Sequence, residues 1–165
     1  MAAGEQIAAL FAVSQETVEA NCAGIGEQES RRAFPGGANC ANWILGHIVV
    51  NRQLLTVRFG EKPFLREEEA VLYARGSAPL HDGGICVSFE RLLEGFKVTG
   101  EQIQQHVKVL SDEDLSSELE PNAFPVPVTP RNLCTWLGLL LFHEGYHAGQ
   151  LGVVRRILGK PGAIR

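Results

Sequence analysis

The sequence predicts an all-α fold, a four-helix bundle with long crossover loops. Four segments repeat apolar residues at steps of three and four, the period of an amphipathic helix. Two long connections separate these segments, and no segment alternates apolar and polar residues for long enough to require a strand. With 165 residues, 45% of them hydrophobic, the chain is expected to form a single domain spanning residues 1–165.

The first two helices are bounded by clear start and stop signals. The first is predicted to run from about residue 5 to residue 21, and Gly24 follows it as a helix terminator. The second is predicted to begin after Asn39 as N-cap and to run to about Phe59. Cys40, Trp43 and later apolar positions form one stripe on this helix, and His47 lies within that stripe. His47 should therefore face the core.

Residues 60–85 form a long irregular connection rich in proline, glycine and charge. A connection of this length in a compact domain suggests a lid, a binding loop or a long crossover. The third helix is predicted to start with Ser88 as N-cap and to place an apolar face on residues 89–107. Gly100 lies inside it, at a cost of about 1 kcal/mol relative to alanine.

The fourth helix follows an extended linker, because four of the ten residues 121–130 are prolines. Thr129 and Pro130 match an N-cap followed by proline at the first helical position, which predicts a helix of about 29 residues ending at Leu158. Its predicted buried stripe contains both histidines of the segment and four other residues: Trp136, Leu140, His143, His147, Gln150 and Val154.

Composition excludes several classes of partner. The net charge is −4, and the fifteen basic residues are dispersed rather than gathered in a run that would follow a phosphate backbone. The apolar runs are too short or too interrupted to span a bilayer, and the first twelve residues do not have the pattern of a signal peptide. The sequence therefore predicts a cytoplasmic protein that binds neither nucleic acid nor membrane.

Residues 143–147 spell H-E-x-x-H, the spacing of zinc peptidases. Two histidines four residues apart lie on one helix face and can share a cation. A catalytic zinc needs a third protein ligand, yet residues 148–165 contain no His, Asp, Glu or Cys. Glu144 points about 100° away from His143 around the helix, so a helix-flank carboxylate is as consistent with this position as a functional one. A metal-dependent hydrolase is thus the less favoured alternative.

The third ligand must come from upstream. His47 lies in an apolar stripe, where a buried imidazole needs a partner, whereas His81 lies in a loop and His106 on a polar face. The alternative interpretation of His47 is a hydrogen-bonded core residue. Its combination with the paired His143 and His147 favours a shared metal site.

Two elements together resemble a known family. W-I-L-G-H at residues 43–47 and H-E-G-Y-H-A-G-Q at residues 143–150 resemble the DinB-like superfamily, which includes bacillithiol S-transferases and mycothiol-dependent maleylpyruvate isomerases. The resemblance implies a four-helix bundle, often a homodimer, with a divalent ion held by His47, His143 and His147 and facing a pocket. The family often has a second histidine where this chain has Tyr146.

The favoured function is a divalent-metal-dependent S-transferase that uses a low-molecular-weight thiol and a small-molecule substrate. Zinc or nickel is the favoured ion, and iron, copper or manganese is compatible. Asn51, Glu144, Tyr146 and Gln150 are candidates for orienting a ligand or contacting substrate. The alternative is a non-enzymatic bundle stabilised by metal, or a small-molecule sensor. A homodimer is also expected if the first and third helices keep exposed apolar positions.

Overall fold

The fold is built on four long helices. A computed structural model describes residues 2–34, 38–80 and 84–163. The long helices are α1 (Ala3–Cys22), α3 (Ala41–Arg58), α5 (Phe89–Val107) and α7 (Leu133–Ile157), and the short ones are α2 (Glu27–Ser30), α4 (Glu67–Ala70) and α6 (Asp112–Ser116). Within the described ranges there is no strand, only one isolated bridge between Glu118 and Asn132. The predicted all-α bundle is confirmed.

Each long helix packs on two others, so that α1 and α3 both contact α5 and α7. The core consists of two apolar clusters at different heights. One cluster includes Val18, Ile44, Ile48, Phe96 and Leu151, and the other includes Phe11, Leu55, Ile103, Val107 and Leu137. Polar side chains lie between these clusters on α1, α3 and α7, among them Ser14, Arg52 and Glu144. His143 and His147 also lie between them on α7.

The long connection between α3 and α5 is a packed crossover. Tyr73 in this connection is fully buried, and its hydroxyl donates a hydrogen bond to Asn42 Oδ1 at 3.0 Å. Its ring lies directly on Gly46, where a Cβ atom would come within 2.6 Å of the ring carbon Cγ. Glycine is required there because any side chain would displace the tyrosine. Residues 81–83, including His81, lie outside the described residues.

The predicted start of the last helix at Thr129 and Pro130 is wrong. Helix α7 begins at Leu133 and has 25 residues, and the side chain of Asn132 caps it by accepting the N–H of Thr135 at 2.9 Å. The backbone N–H of Leu133 donates to the carbonyl of Ser117 at 3.1 Å. The preceding residues are thus held extended against the segment after α6, which delays the helix.

Exposed apolar side chains lie on α1, α3 and α7. Examples are Leu10, Val13, Leu54 and Phe142, which are 55%, 61%, 60% and 75% exposed. The expectation that the third long helix, α5, keeps exposed apolar positions is wrong. None of the large exposed apolar residues among those described belongs to α5. No helix in the described part of the chain combines the length and apolarity needed to cross a membrane.

Candidate metal centre

Three histidines from two helices come together. His47 comes from α3, and His143 and His147 come from one face of α7. The Nε2 atom of His143 lies 3.1 Å from Nε2 of His47 and 3.0 Å from Nε2 of His147. The candidate ligand atoms all lie within 4.8 Å of one another, and no other such group of His, Cys, Asp or Glu occurs among the described residues.

Hydrogen bonds fix the tautomers of two of these rings. Nδ1 of His47 lies 2.6 Å from the carbonyl oxygen of Tyr73, and Nδ1 of His147 lies 2.7 Å from Oε1 of Gln150. Both oxygens can only accept, so each Nδ1 carries the proton. In the neutral rings, Nε2 of His47 and Nε2 of His147 therefore present lone pairs toward His143.

Burial keeps the three rings neutral. Desolvation, reinforced by the nearby His147 and His47, lowers the pKa of His143 to about 4. Desolvation also lowers the pKa of His47 and His147; for His47 it outweighs the hydrogen bond to Tyr73, and the charge of Arg75 acts in the same direction. Neutral imidazole is the form that binds metal ions, so the centre is in its ligating state near neutral pH.

The His143 ring cannot donate hydrogen bonds to the lone pairs of both His47 and His147. Its Nδ1 is buried and has no hydrogen-bond partner within the described residues. A proton on Nε2 could serve the lone pair of His47 or that of His147 but not both well, while a proton on Nδ1 leaves three lone pairs facing one another. Two imidazole nitrogens bound to one tetrahedral zinc ion at about 2.0–2.1 Å are about 3.3–3.4 Å apart, so the separations of 3.0 and 3.1 Å here need to widen by only about 0.3 Å. The donor set fits a divalent ion.

The W-x-x-G-H element explains how His47 is positioned. The Trp43 ring stacks on His47 with ring centroids 4.8 Å apart and planes 13° from parallel. The Trp43 indole N–H donates to Ser77 Oγ at 2.9 Å, which ties the tryptophan to the crossover. Gly46 makes room for Tyr73, whose carbonyl accepts the Nδ1–H of His47. Trp43 and Gly46 thus both help to orient the His47 imidazole.

Three of the other predicted residues lie beside the centre. The side-chain amide of Asn51 donates to the His47 carbonyl at 2.8 Å and lies 3.4 Å from His47 Nε2. Gln150 accepts from His147 and donates from Nε2 to the Tyr146 hydroxyl at 3.2 Å. The Tyr146 ring meets His147 edge-on, with centroids 5.0 Å apart. Asn51, Tyr146 and Gln150 therefore have contacts suited to orienting ligands.

His106 belongs to a different part of the molecule. Its Nε2 lies 2.8 Å from Oε1 of Glu61, and its ring stacks on Phe59 with centroids 5.0 Å apart. It is not part of the group formed by the other three histidines. The preference for His47 over His106 as the third member of the cluster matches this arrangement.

The interpretation of Glu144 as a helix-flank carboxylate is wrong. Its side chain is fully buried and pairs bidentately with Arg52: Oε1 accepts from Nε at 2.7 Å and Oε2 accepts from Nη2 at 2.9 Å. Ser14 Oγ also donates to Oε2 at 2.5 Å. Because α7 turns by about 100° per residue, His143 faces the other two histidines while Glu144 faces α1 and α3.

Arg52 extends this ion pair to all four long helices. Its Nη1 donates to the carbonyl of Phe96 at 2.9 Å and also to Gln15 Oε1, and its Cζ lies 3.7 Å above the Phe96 ring. At Gly100, a Cβ atom would come within 2.6 Å of Nη1. The glycine inside α5 is therefore needed for the guanidinium. We call Arg52, Glu144, Ser14 and Gln15 the ion-pair network.

A family model described as the DinB superfamily matches residues 10–151. The chain belongs to the DinB superfamily. The matched span of this DinB superfamily protein contains the three histidines and the whole ion-pair network. A solved structure, described as a conserved protein from Enterococcus faecalis, has a similar fold with a TM-score of 0.72 and 15% identity over 97% of this chain and 99% of that chain. Comparison with curated proteins gave no match.

Proposed function

We propose that this DinB superfamily protein is a divalent-metal-dependent S-transferase that uses a low-molecular-weight thiol. His47, His143 and His147 would hold the ion, with zinc or nickel favoured and iron, copper or manganese compatible. The observation that carries the proposal is the convergence of three neutral histidine rings. Nε2 of His143 lies 3.1 Å from Nε2 of His47 and 3.0 Å from Nε2 of His147. Burial keeps all three rings neutral.

The three ligands suit thiol activation. When bound, a divalent cation held by neutral imidazoles keeps its full positive charge and favours the deprotonated, nucleophilic form of a thiol. In the transfer, the thiol gives up its proton and its sulfur forms a bond to an electrophilic carbon. The leaving group departs with the electron pair of the broken bond and takes up a proton.

Polar groups around the histidines can bind the two reactants. The Tyr146 side chain is 59% exposed, and Gln150 positions its hydroxyl, so it can exchange hydrogen bonds with a substrate. Arg75 follows Tyr73 by two residues, and its exposed guanidinium is close enough to lower the pKa of His47. A cation on this side of the centre would attract an anionic thiol.

The ion-pair network argues against the two alternatives. Both carboxylate oxygens of Glu144 are occupied by Arg52, so Glu144 is not available as the base of a peptidase-like hydrolase. The network also ties α3 to α7 without any metal. An ion at the histidines would therefore not be needed to hold these helices together, which favours a functional ion over a purely structural one.

The test combines metal analysis with a thiol-transfer screen on protein purified without a metal-binding tag. We expect one divalent ion per chain and thiol-dependent turnover, both lost in His147→Ala. His106→Ala is the matched control and should keep both, since His106 contacts Glu61 instead. Turnover that persists in metal-free protein would overturn the proposal. A large loss of thermal stability in chelator without any turnover would instead support the structural ion.

A further inference from the structure

A groove of about 270 Å³ opens beside the metal centre, between α3, α7 and the proline-rich linker. We call it the His143 groove. His143 and Asn51 both line it. Asn51 also donates to the His47 carbonyl, so the groove is continuous with the histidine cluster. A molecule in this groove would lie next to any reactant at the centre.

The walls of the His143 groove are apolar. Trp136 and Leu139 line it from α7, Leu54 from α3, and Phe124 from the linker. In all, seven apolar side chains, two amides and one imidazole line the groove, and no described residue lining it carries a charge. Burying a charge without a partner is costly, so these walls select against charged groups.

A charged residue, Arg58, approaches the Trp136 wall of the groove without lining it. Cζ of Arg58 lies 5.9 Å from the centroid of the Trp136 ring, a cation–π distance. Two amides supply the polar contacts instead. Asn51 is fixed by its hydrogen bond to His47, whereas Asn122 on the linker makes no side-chain hydrogen bond to the described residues. Asn122 is thus available to bind a neutral polar group.

The volume limits the size of the occupant. With a volume of about 270 Å³, the groove lies just below the usual size range of small-molecule sites, about 300–1,000 Å³, so it suits a small occupant. Apolar walls with a few convergent polar groups are typical of small-molecule sites. The linker, which the sequence predicts only as an extended connection, supplies one wall.

From these observations we infer that the His143 groove binds the electrophilic substrate, and that this substrate is uncharged and mainly apolar, with an aromatic or compact aliphatic body and one hydrogen-bonding group. The identification of this ligand as a substrate rests on the proposed S-transferase function. The selectivity of the groove for neutral ligands does not depend on that function.

The test uses probes that differ in charge but share one ring: benzyl alcohol, benzoate and benzylamine. Each is titrated into the full-length, metal-free protein, and binding is followed by NMR shifts of the Trp136 indole N–H. Ligands of this size bind with dissociation constants of about 1 mM. We expect benzyl alcohol to bind about tenfold more tightly than either charged probe, because neither charge finds a partner in the groove.

A matched pair of variants locates the binding. Leu54→Asp places a charge in the groove wall, whereas Val57→Asp places the same charge on the same helix outside it. Both positions are exposed, at 60% and 45%, so both variants should fold. Leu54→Asp should weaken benzyl alcohol binding at least about fivefold, and Val57→Asp should leave it unchanged.

Equal or tighter binding of benzoate or benzylamine, or equal effects of the two variants, would overturn the inference. Absence of any shift at 10-fold the expected dissociation constant, about 10 mM, would overturn it as well. Neutral probe binding without thiol-dependent turnover in metal-loaded protein would contradict the proposed function and leave the groove assignment standing. Turnover with an unaltered KM in Leu54→Asp would contradict the groove assignment and leave the proposed function standing.

Discussion

Two buried polar clusters lie side by side in the middle of the bundle, and they differ in whether their own atoms satisfy one another. In the ion-pair network, Arg52 and Glu144 are fully buried and use both carboxylate oxygens and all three guanidinium nitrogens. In the histidine cluster, lone pairs of His47 and His147 face His143, whose Nδ1 has no partner. A satisfied cluster indicates a structural role, and an unsatisfied one indicates a ligand site.

Both clusters draw side chains from α3 and α7, and on α7 they use adjacent residues. His143 and Glu144 follow each other on α7, and the turn of about 100° between them directs one side chain to the histidine cluster and the other to Arg52. The ion pair therefore sets the rotation of α7 relative to α3. That rotation in turn places His143 and His147 opposite His47. The difference between the clusters can be measured by removing one partner from each.

The largest expected effect comes from Glu144→Gln. The variant leaves the buried guanidinium of Arg52 without its counter-charge, which should lower the free energy of unfolding by about 3–5 kcal/mol. Urea denaturation of metal-free protein measures this change. Glu94→Gln is the matched control, an exposed glutamate on α5, and should change the free energy of unfolding by less than about 0.5 kcal/mol.

A second variant keeps this prediction testable if Glu144→Gln fails to fold. Replacing both partners, Arg52→Met with Glu144→Leu, removes both charges and should restore much of the lost stability. A loss below about 1 kcal/mol in the single variant would contradict the structural role that the contacts assign to the pair.

Metal binding should have the next largest effect on the free energy of unfolding. This effect should depend on the histidine cluster and not on the ion-pair network. At a free ion concentration of about 100 times the dissociation constant, binding adds about 2.7 kcal/mol to the free energy of unfolding. We expect this gain in the wild-type protein and in His106→Ala, and its absence in His147→Ala. Thermal or urea denaturation with and without zinc measures it. An undiminished gain in His147→Ala would place the ion elsewhere.

Gln150→Ala should weaken metal binding without unfolding the protein. The amide oxygen of Gln150 holds the Nδ1 proton of His147, and loss of such a partner typically lowers metal affinity about 10- to 100-fold. Competition with a chelator of known affinity measures the change. Gln105→Ala, at an exposed position of α5, serves as the control and should retain the wild-type affinity. Equal metal affinities of the two variants would show that Gln150 does not support metal binding by His147.

The sequence was sufficient to predict the bundle and the grouping of the three histidines. Helical periodicity gives the apolar stripes, and a four-residue step places His143 and His147 on one face whatever packs against it. His47 was predicted from its own stripe, because an imidazole among apolar residues needs a partner. These inferences depend only on the geometry of single helices.

The remaining features depend on which helix packs on which. Arg52 and Tyr73 were not predicted, because their roles come from contacts with α7, α5 and Gly46. The available signal for Arg52 was its position within a helix whose only other charged residue is Arg58 at the end. The start of α7 was mispredicted because Asn132 competes as N-cap while the chain before it pairs with residues after α6. Single-helix patterns do not contain this information.

The smallest expected effect is a pH dependence of metal-free protein that arises from the histidine cluster. Burial and the neighbouring rings lower the pKa of folded His143 to about 4, whereas in the unfolded chain the imidazole titrates near its ordinary 6.5. Between these values the unfolded chain binds more protons, so the free energy of unfolding falls as pH drops from 6.5 toward 4. Since the ring is only partly buried, the loss should be about 1 kcal/mol. Urea denaturation from pH 7 to 4 should show a shallower decline in His143→Ala than in His106→Ala, and identical declines would mean that the cluster does not resist protonation.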